Sequence, residues 1–223
     1  ENLKNGAHVL KLFIPPGVPG PASTFVPSFL SLEEISAAVS EGARLGIPTA
    51  AHCIGGQGLK DCIDGGVDVI EHMYMASEQD VERLAASRCV VDLTSGIFLD
   101  PSREEFLSPA NALKVRLNRS RVRENVARII KARLPFVLGT DAYHGFLYRE
   151  VGYAVELGAD PVTAIQGVTS RAARVCRLED RIGKLENGME ADIIAVEGNP
   201  LEDVSRLSQV GLVMKGGVVY RQP

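Results

Sequence analysis

Five short apolar runs recur along this chain with helical segments between them, and that alternation restricts the fold more than any other feature. The runs are His8–Phe13, Pro48–His52, Val67–His72, Cys89–Leu93 and Phe136–Asp141. Each is too short for an independent helix and is bounded by turn residues or helix signals, so each reads as a buried strand. Strands that alternate with helices form parallel βαβ units, because a parallel partner can only be reached through a crossover. Four of the five runs also carry a side chain with chemistry, placed towards the C-terminal end: Lys11, His52, His72 and Asp141.

The helices are marked by their own signals. Ser31-Leu32-Glu33-Glu34 makes a capping box, with Leu32, Ile35, Val39 and Ala43 at helical spacing behind it. A short helix is expected around 57–64, and Ser77 can cap another whose Val81, Leu84 and Ala85 share a face. A polar loop containing Pro101 and Pro109 follows the fourth strand, and then a helix with Val122, Val126, Ile129 and Ile130 on one face. After Asp141 come a helix over 147–157 and one opened by Asp160 as N-cap with Pro161 at its first position. Residues 14–30, rich in proline and glycine, form a long loop. Beyond residue 183 the character changes to short β-type runs at 192–196, 212–215 and 218–220, with Gly216-Gly217 as a hairpin signal. Two regions are therefore expected, 1–182 and 183–223.

Composition narrows the function. A net charge of −4 gives no hint of a basic surface, so nucleic acid is not the expected partner. No apolar stretch approaches the ~20 residues of a membrane-spanning helix. The first residues, Glu1–Gly6, do not read as a secretory leader. The four cysteines, Cys53, Cys62, Cys89 and Cys176, have neither CxxC nor zinc-ribbon spacing. Few, scattered cysteines place the expectation in the cytoplasm. Cys53 could be a soft ligand beside His52, but alternation along a strand turns it to the opposite face.

Each chemistry-bearing residue has a plain structural reading when taken alone. A histidine ending a strand can simply be hydrogen-bonded, a lysine can lie on an edge strand in water, and an aspartate can cap a turn. All four at the same end of separate strands are harder to explain by turn chemistry. Imidazole and carboxylate together suit zinc and similar divalent ions, and the C-terminal ends of parallel strands are where barrel folds place their active sites.

The segments Val9-Leu10-Lys11-Leu12, Ala50-Ala51-His52, Val69-Ile70-Glu71-His72 and Gly139-Thr140-Asp141 resemble, in order, those of the amidohydrolase superfamily. The likeness is to its prolidase-like and imidazolonepropionase-like members. Thr169–Ala173 resembles the helix after the last barrel strand, and Gly183–Asp192 the entry into the small sheet. The resemblance implies an α/β fold: strands four to eight of a (β/α)8 TIM-type barrel, with the C-terminal strands of a small β-sandwich. It implies a metal-dependent hydrolase that cleaves an amide bond in a small peptide-like or cyclic substrate. Lys11 would be a carboxylated lysine bridging two ions, most simply zinc. His52 and His72 would bind one of them, and Asp141 would bind the other and move the catalytic proton.

The family's His-x-His pair of the first barrel strand has no counterpart here. That opens two alternatives, a non-catalytic or truncated scaffold of the same fold and a single-metal deaminase, the second weakened by Lys11. Tyr74, Tyr143 and His144, which follow the His72 and Asp141 strands, are candidate substrate-binding residues. The partners expected are a small-molecule or dipeptide-like substrate, no nucleic acid, no membrane, and a second copy of the chain through exposed strand edges.

Overall fold

A computed structural model describes residues 5–15, 17, 18, 25–141 and 144–222 of the chain, with the His144 side chain left aside. Much of the proline- and glycine-rich loop and Tyr143 therefore lie outside the described residues. The chain divides into two compact units, Glu1–Phe136 and Val137–Pro223.

The five expected strands are present: β1 (Leu10–Phe13), β2 (Thr49–Cys53), β3 (Val69–His72), β4 (Val90–Leu93) and β5 (Phe136–Leu138). They form one sheet in sequence order, and β1 to β4 pair in parallel. The register explains how one sheet serves two purposes. Leu12, Ala51, Ile70 and Val91 stand in one row across it, and the last three are fully buried. The next row, on the opposite face, is Phe13, His52, Glu71 and Asp92. Because successive side chains alternate between faces, the apolar row packs while its neighbour is free to carry chemistry.

Helices α1 (Leu32–Arg44), α2 (Gly56–Asp64) and α3 (Glu78–Ala85) connect the first four strands, and α1 and α2 lie against β2. The Ser31 capping box forms as expected, with the Ser31 N–H donating to Glu34 Oε2 at 2.8 Å. Ser77 caps α3 in the same reciprocal way, with Asp80 as the returning carboxylate. Gly42 is required where α1 approaches the next strand, since a Cβ there would come within 2.8 Å of the Ile47 carbonyl oxygen. Ile35, Leu59, Val122, Val126 and Ile129 supply fully buried side chains to this unit's core.

The stretch after β4 differs from expectation. A short helix α4 (Gly96–Leu99) and a 3-10 turn capped by Asp100 (Pro101–Phe106) replace most of the loop. Pro109 opens rather than precedes the next helix, α5 (Pro109–Lys131), with Ser108 as its N-cap. Proline at a first helical position loses no hydrogen bond, because that N–H would be an orphan anyway.

Three cysteines, Cys53, Cys62 and Cys89, are buried and reduced, whereas Cys176 is exposed. The Cys62 thiol is pushed up by its hydrogen bond with Cys53 and by burial, and Cys89 is pushed up by burial. These are inert core thiols.

The second unit carries α6 (Leu147–Glu156), α7 (Pro161–Gly167) and α8 (Ser170–Val175), followed by an antiparallel sheet of β6 (Ile193–Val196), β7 (Val210–Lys215) and β8 (Val218–Arg221). Asp160 caps α7 with Pro161 at its first position. Gly216 and Gly217, at φ +55° and +79°, make the two-residue turn between β7 and β8. Both angles are positive, as the tight hairpin turn that matches strand twist requires. The expected boundary at 182/183 falls within this unit, between its helices and its sheet.

Candidate metal centre

His52 and His72 reach the same place by different routes. His52 follows the pleat of β2 and shares its row with Phe13 and Glu71. His72 is paired with Cys53, so simple alternation would turn it to the helix-covered face. Instead His72 adopts φ +76° and Met73 φ +53°, an uncommon left-handed pair for residues other than glycine. The Met73 N–H donates to the Cys53 carbonyl at 3.1 Å and holds this turn in place. The result brings the two imidazoles edge to face, with centroids 4.5 Å apart.

Phe13 stacks on the other side of His52 at 4.2 Å and 11° between planes. His52 Nε2 is shut off from solvent. His72 is itself buried, and its pKa is pushed down to about 3, first by burial and then by the nearby His52 and Lys11. The imidazole is therefore neutral over the physiological range, the form that can donate a lone pair to a metal.

Lys11 is half exposed, although its run reads as a buried strand, and its amine is ion-paired with Glu71. That pairing follows from register: Lys11 lies one pleat before Phe13 on the face that carries Glu71. Glu71 Oε2 also stands 3.8 Å from His72 Nε2. Lys11, Glu71, His52 and His72 thus gather at the C-terminal ends of β1 to β3.

A layer behind His72 fixes its other nitrogen. Nδ1 lies 2.7 Å from Thr94 Oγ1, just beyond β4. The Tyr74 hydroxyl donates to the Thr94 carbonyl at 2.8 Å and lies 2.5 Å from Thr94 Oγ1. Tyr74 is 4% exposed, so within this chain it supports Thr94 from the interior. Asn125 of α5 donates to the Tyr74 carbonyl at 2.7 Å, and Phe98 meets the Tyr74 ring edge-on at 4.6 Å. Glu71 and Thr94 were not singled out from sequence. A register-based pairing of Glu71 with Lys11 needs the strand alignment, and nothing local marks Thr94.

Asp141 belongs to the second unit, three residues beyond β5, where it is exposed and left-handed at φ +46°. His144 begins a short 3-10 turn after it, and Tyr143 lies outside the described residues. Among the described residues, no group of three or more histidine, cysteine, aspartate or glutamate side chains is arranged to hold a metal ion. Two imidazoles, that of His72 held neutral, beside a lysine and a carboxylate do fit part of the donor set of a divalent ion.

The amidohydrolase family profile matches residues 9–220, nearly the whole length. This chain belongs to the amidohydrolase family. It is 32% identical to the ochratoxinase of Aspergillus niger over 99% of its own length and 48% of that protein's. It is 24% identical to the imidazolonepropionase of Desulfotalea psychrophila, over 75% of this chain and 38% of that protein. Among solved structures, a Xaa-Pro dipeptidase with methionine in its active site superposes with a TM-score of 0.87 at 30% identity. That match covers 98% of this chain and 56% of the other. The amidohydrolase chain spans about half the length of the curated ochratoxinases it matches. Its α/β fold is that of these relatives. Among the described residues, no helix is long and apolar enough to cross a membrane.

Proposed function

We propose that this chain supplies strands four to eight of a (β/α)8 barrel in a metal-dependent amidohydrolase acting on a small peptide-like or cyclic amide. The observation that carries the reading is the pair of imidazoles at the C-terminal ends of β2 and β3, with Lys11 and Glu71 beside them. The family membership and the likeness to a dipeptidase and an ochratoxinase support the choice of bond.

His52 and His72 would hold one divalent ion, zinc being the simplest choice for imidazole ligands. Lys11, carboxylated at its amine, would add an anionic oxygen donor to the metal centre. When bound, such ions acidify a water and polarise the scissile carbonyl. Burial of His72 keeps its lone pair available, and the Phe13 ring restricts the tilt of His52 and covers one of its faces. Asp141 would accept a proton from the attacking water and return it to the leaving nitrogen. A positioned carboxylate is among the side chains that serve as general bases. His144 and Tyr143 are proposed to meet the substrate. The proposed location is the cytoplasm, with self-association through strand edges.

The test is metal binding by the chain itself. Cobalt titration followed by visible absorption should give a saturable signal in the wild type, and His52→Ala with His72→Ala should abolish it. Dipeptides and N-acyl amino acids would then be assayed with the zinc-loaded protein and its Asp141→Asn variant. Cobalt binding that is unchanged in the double variant would remove the metal reading.

A further inference from the structure

The hydrogen-bond chain behind His72 assigns a proton, and from it we infer that Tyr74 and Thr94 act as a tautomer lock, positioning residues that keep His72 protonated at Nδ1 with Nε2 bare. The Tyr74 hydroxyl has one proton, and the Thr94 carbonyl 2.8 Å away can only accept, so the proton goes there. Tyr74 Oη and Thr94 Oγ1 lie 2.5 Å apart, so one of them must donate to the other. With the tyrosine proton already placed, the donor is Thr94. That uses the only proton on Thr94, leaving Oγ1 an acceptor towards His72 Nδ1 at 2.7 Å. His72 must then donate from Nδ1.

The opposite tautomer is poorly served. It would place an N–H on Nε2 facing Glu71 Oε2 at 3.8 Å, beyond hydrogen-bonding reach, and that oxygen is already bound to Lys11. It would also force the Thr94 proton onto Nδ1, and the short contact between Thr94 Oγ1 and Tyr74 would then depend on the tyrosine proton already given to the carbonyl. The three groups are 3–4% exposed, so water does not compete for these bonds. Asn125 and Phe98 hold Tyr74 in turn, which extends the lock from α5 to the imidazole.

The lock gives Tyr74 a role different from lining a substrate pocket, and its consequence for metal affinity rests on the function proposed above. The tautomer itself does not, so the two are tested separately. In chelator-treated protein with 15N-labelled histidine, long-range proton–nitrogen NMR at neutral pH reads which ring nitrogen of His72 carries hydrogen, with His72→Gln supplying the assignment. The wild type should show a protonated Nδ1 and a bare Nε2. Thr94→Ser should keep that pattern. Tyr74→Phe should move the hydrogen to Nε2, because the Thr94 hydroxyl, having lost its acceptor, turns to Nδ1. Thr94→Val should give a mixture.

Zinc competition against a chromophoric chelator should then show losses of about 10–100-fold for Tyr74→Phe and Thr94→Val, with Thr94→Ser near wild type. Hydrogen on Nε2 in the wild type would overturn the lock whether or not any variant folds. So would a folded Tyr74→Phe that retains the Nδ1 hydrogen. The assigned tautomer without zinc binding would leave the lock standing and remove the metal reading.

Discussion

The parallel and antiparallel sheets are built from similar residues and do opposite things with them. In the first unit, Ala51, Ile70 and Val91 form a row with no exposure. In the second, Ile194, Val218, Val219 and Tyr220 stay 43–71% exposed, and β8 has no buried residue. β-branched and aromatic residues make strands in both places, because they fit a pleated surface. Only where helices cover the sheet does that fit become burial, and only burial supplies substantial stability. The lesson extends to the site: a rigid, covered sheet can hold His72 and Met73 in left-handed conformations that an uncovered one could not enforce.

Truncation in the covered row should give the largest effect. Ile70→Ala is expected to cost about 2–5 kcal/mol in chemical denaturation, the range for emptying a fully buried aliphatic site. A loss as small as that of a surface change would mean that the two sheets differ less than their burial implies.

Acid comes next. His72 has its pKa pushed down to about 3 in the folded chain, and an unfolded histidine titrates near 6.5. Between those values the unfolded state binds a proton that the folded state refuses, so stability is full above about pH 6.5 and falls as pH drops towards 3. At about 1.4 kcal/mol per pH unit, the metal-free protein should lose a few kcal/mol from this residue. Urea midpoints measured at pH 7 and pH 5 should separate clearly, and His72→Gln should flatten part of that difference. The antiparallel sheet contains no histidine and should not contribute to this slope.

Smaller effects sharpen the contrast. Ser77→Ala removes the reciprocal cap of α3 and should cost about 1 kcal/mol, with Ser77→Asp retaining most of it. Val219→Thr, on the exposed hairpin, should change stability by less than about 0.5 kcal/mol. A large loss there would show that something covers β8 in solution.

The sequence made the strands, the Ser31 and Ser77 caps and the Gly216-Gly217 hairpin legible, because each is a local pattern with a local cause. Pro109 was equally legible: Ser108-Pro109 is a cap followed by a first-position proline, and placing the proline in the loop hides the start of α5. The Lys11–Glu71 pair was not legible, since it depends on which residues of β1 and β3 share a face through β2. The turn at His72 was hidden for another reason. Left-handed backbone normally announces itself with glycine, and here His72 and Met73 adopt it under the constraint of their neighbours. Thr94 carried no signal at all, being one threonine whose meaning lies in three hydrogen bonds.

The cysteines give the chain a built-in counter for its own opening. One thiol, Cys176, faces solvent and three are sealed inside the first unit. A coloured thiol reagent should therefore report one reactive group per folded molecule and four per unfolded one. The slow arrival of the remaining three would time the breathing of the parallel sheet, since Cys53 ends β2 directly beside His52 and Cys89 immediately precedes β4. Added zinc that engages His52 should lengthen that delay, so an ordinary absorbance trace could register occupation of the site without any substrate being known.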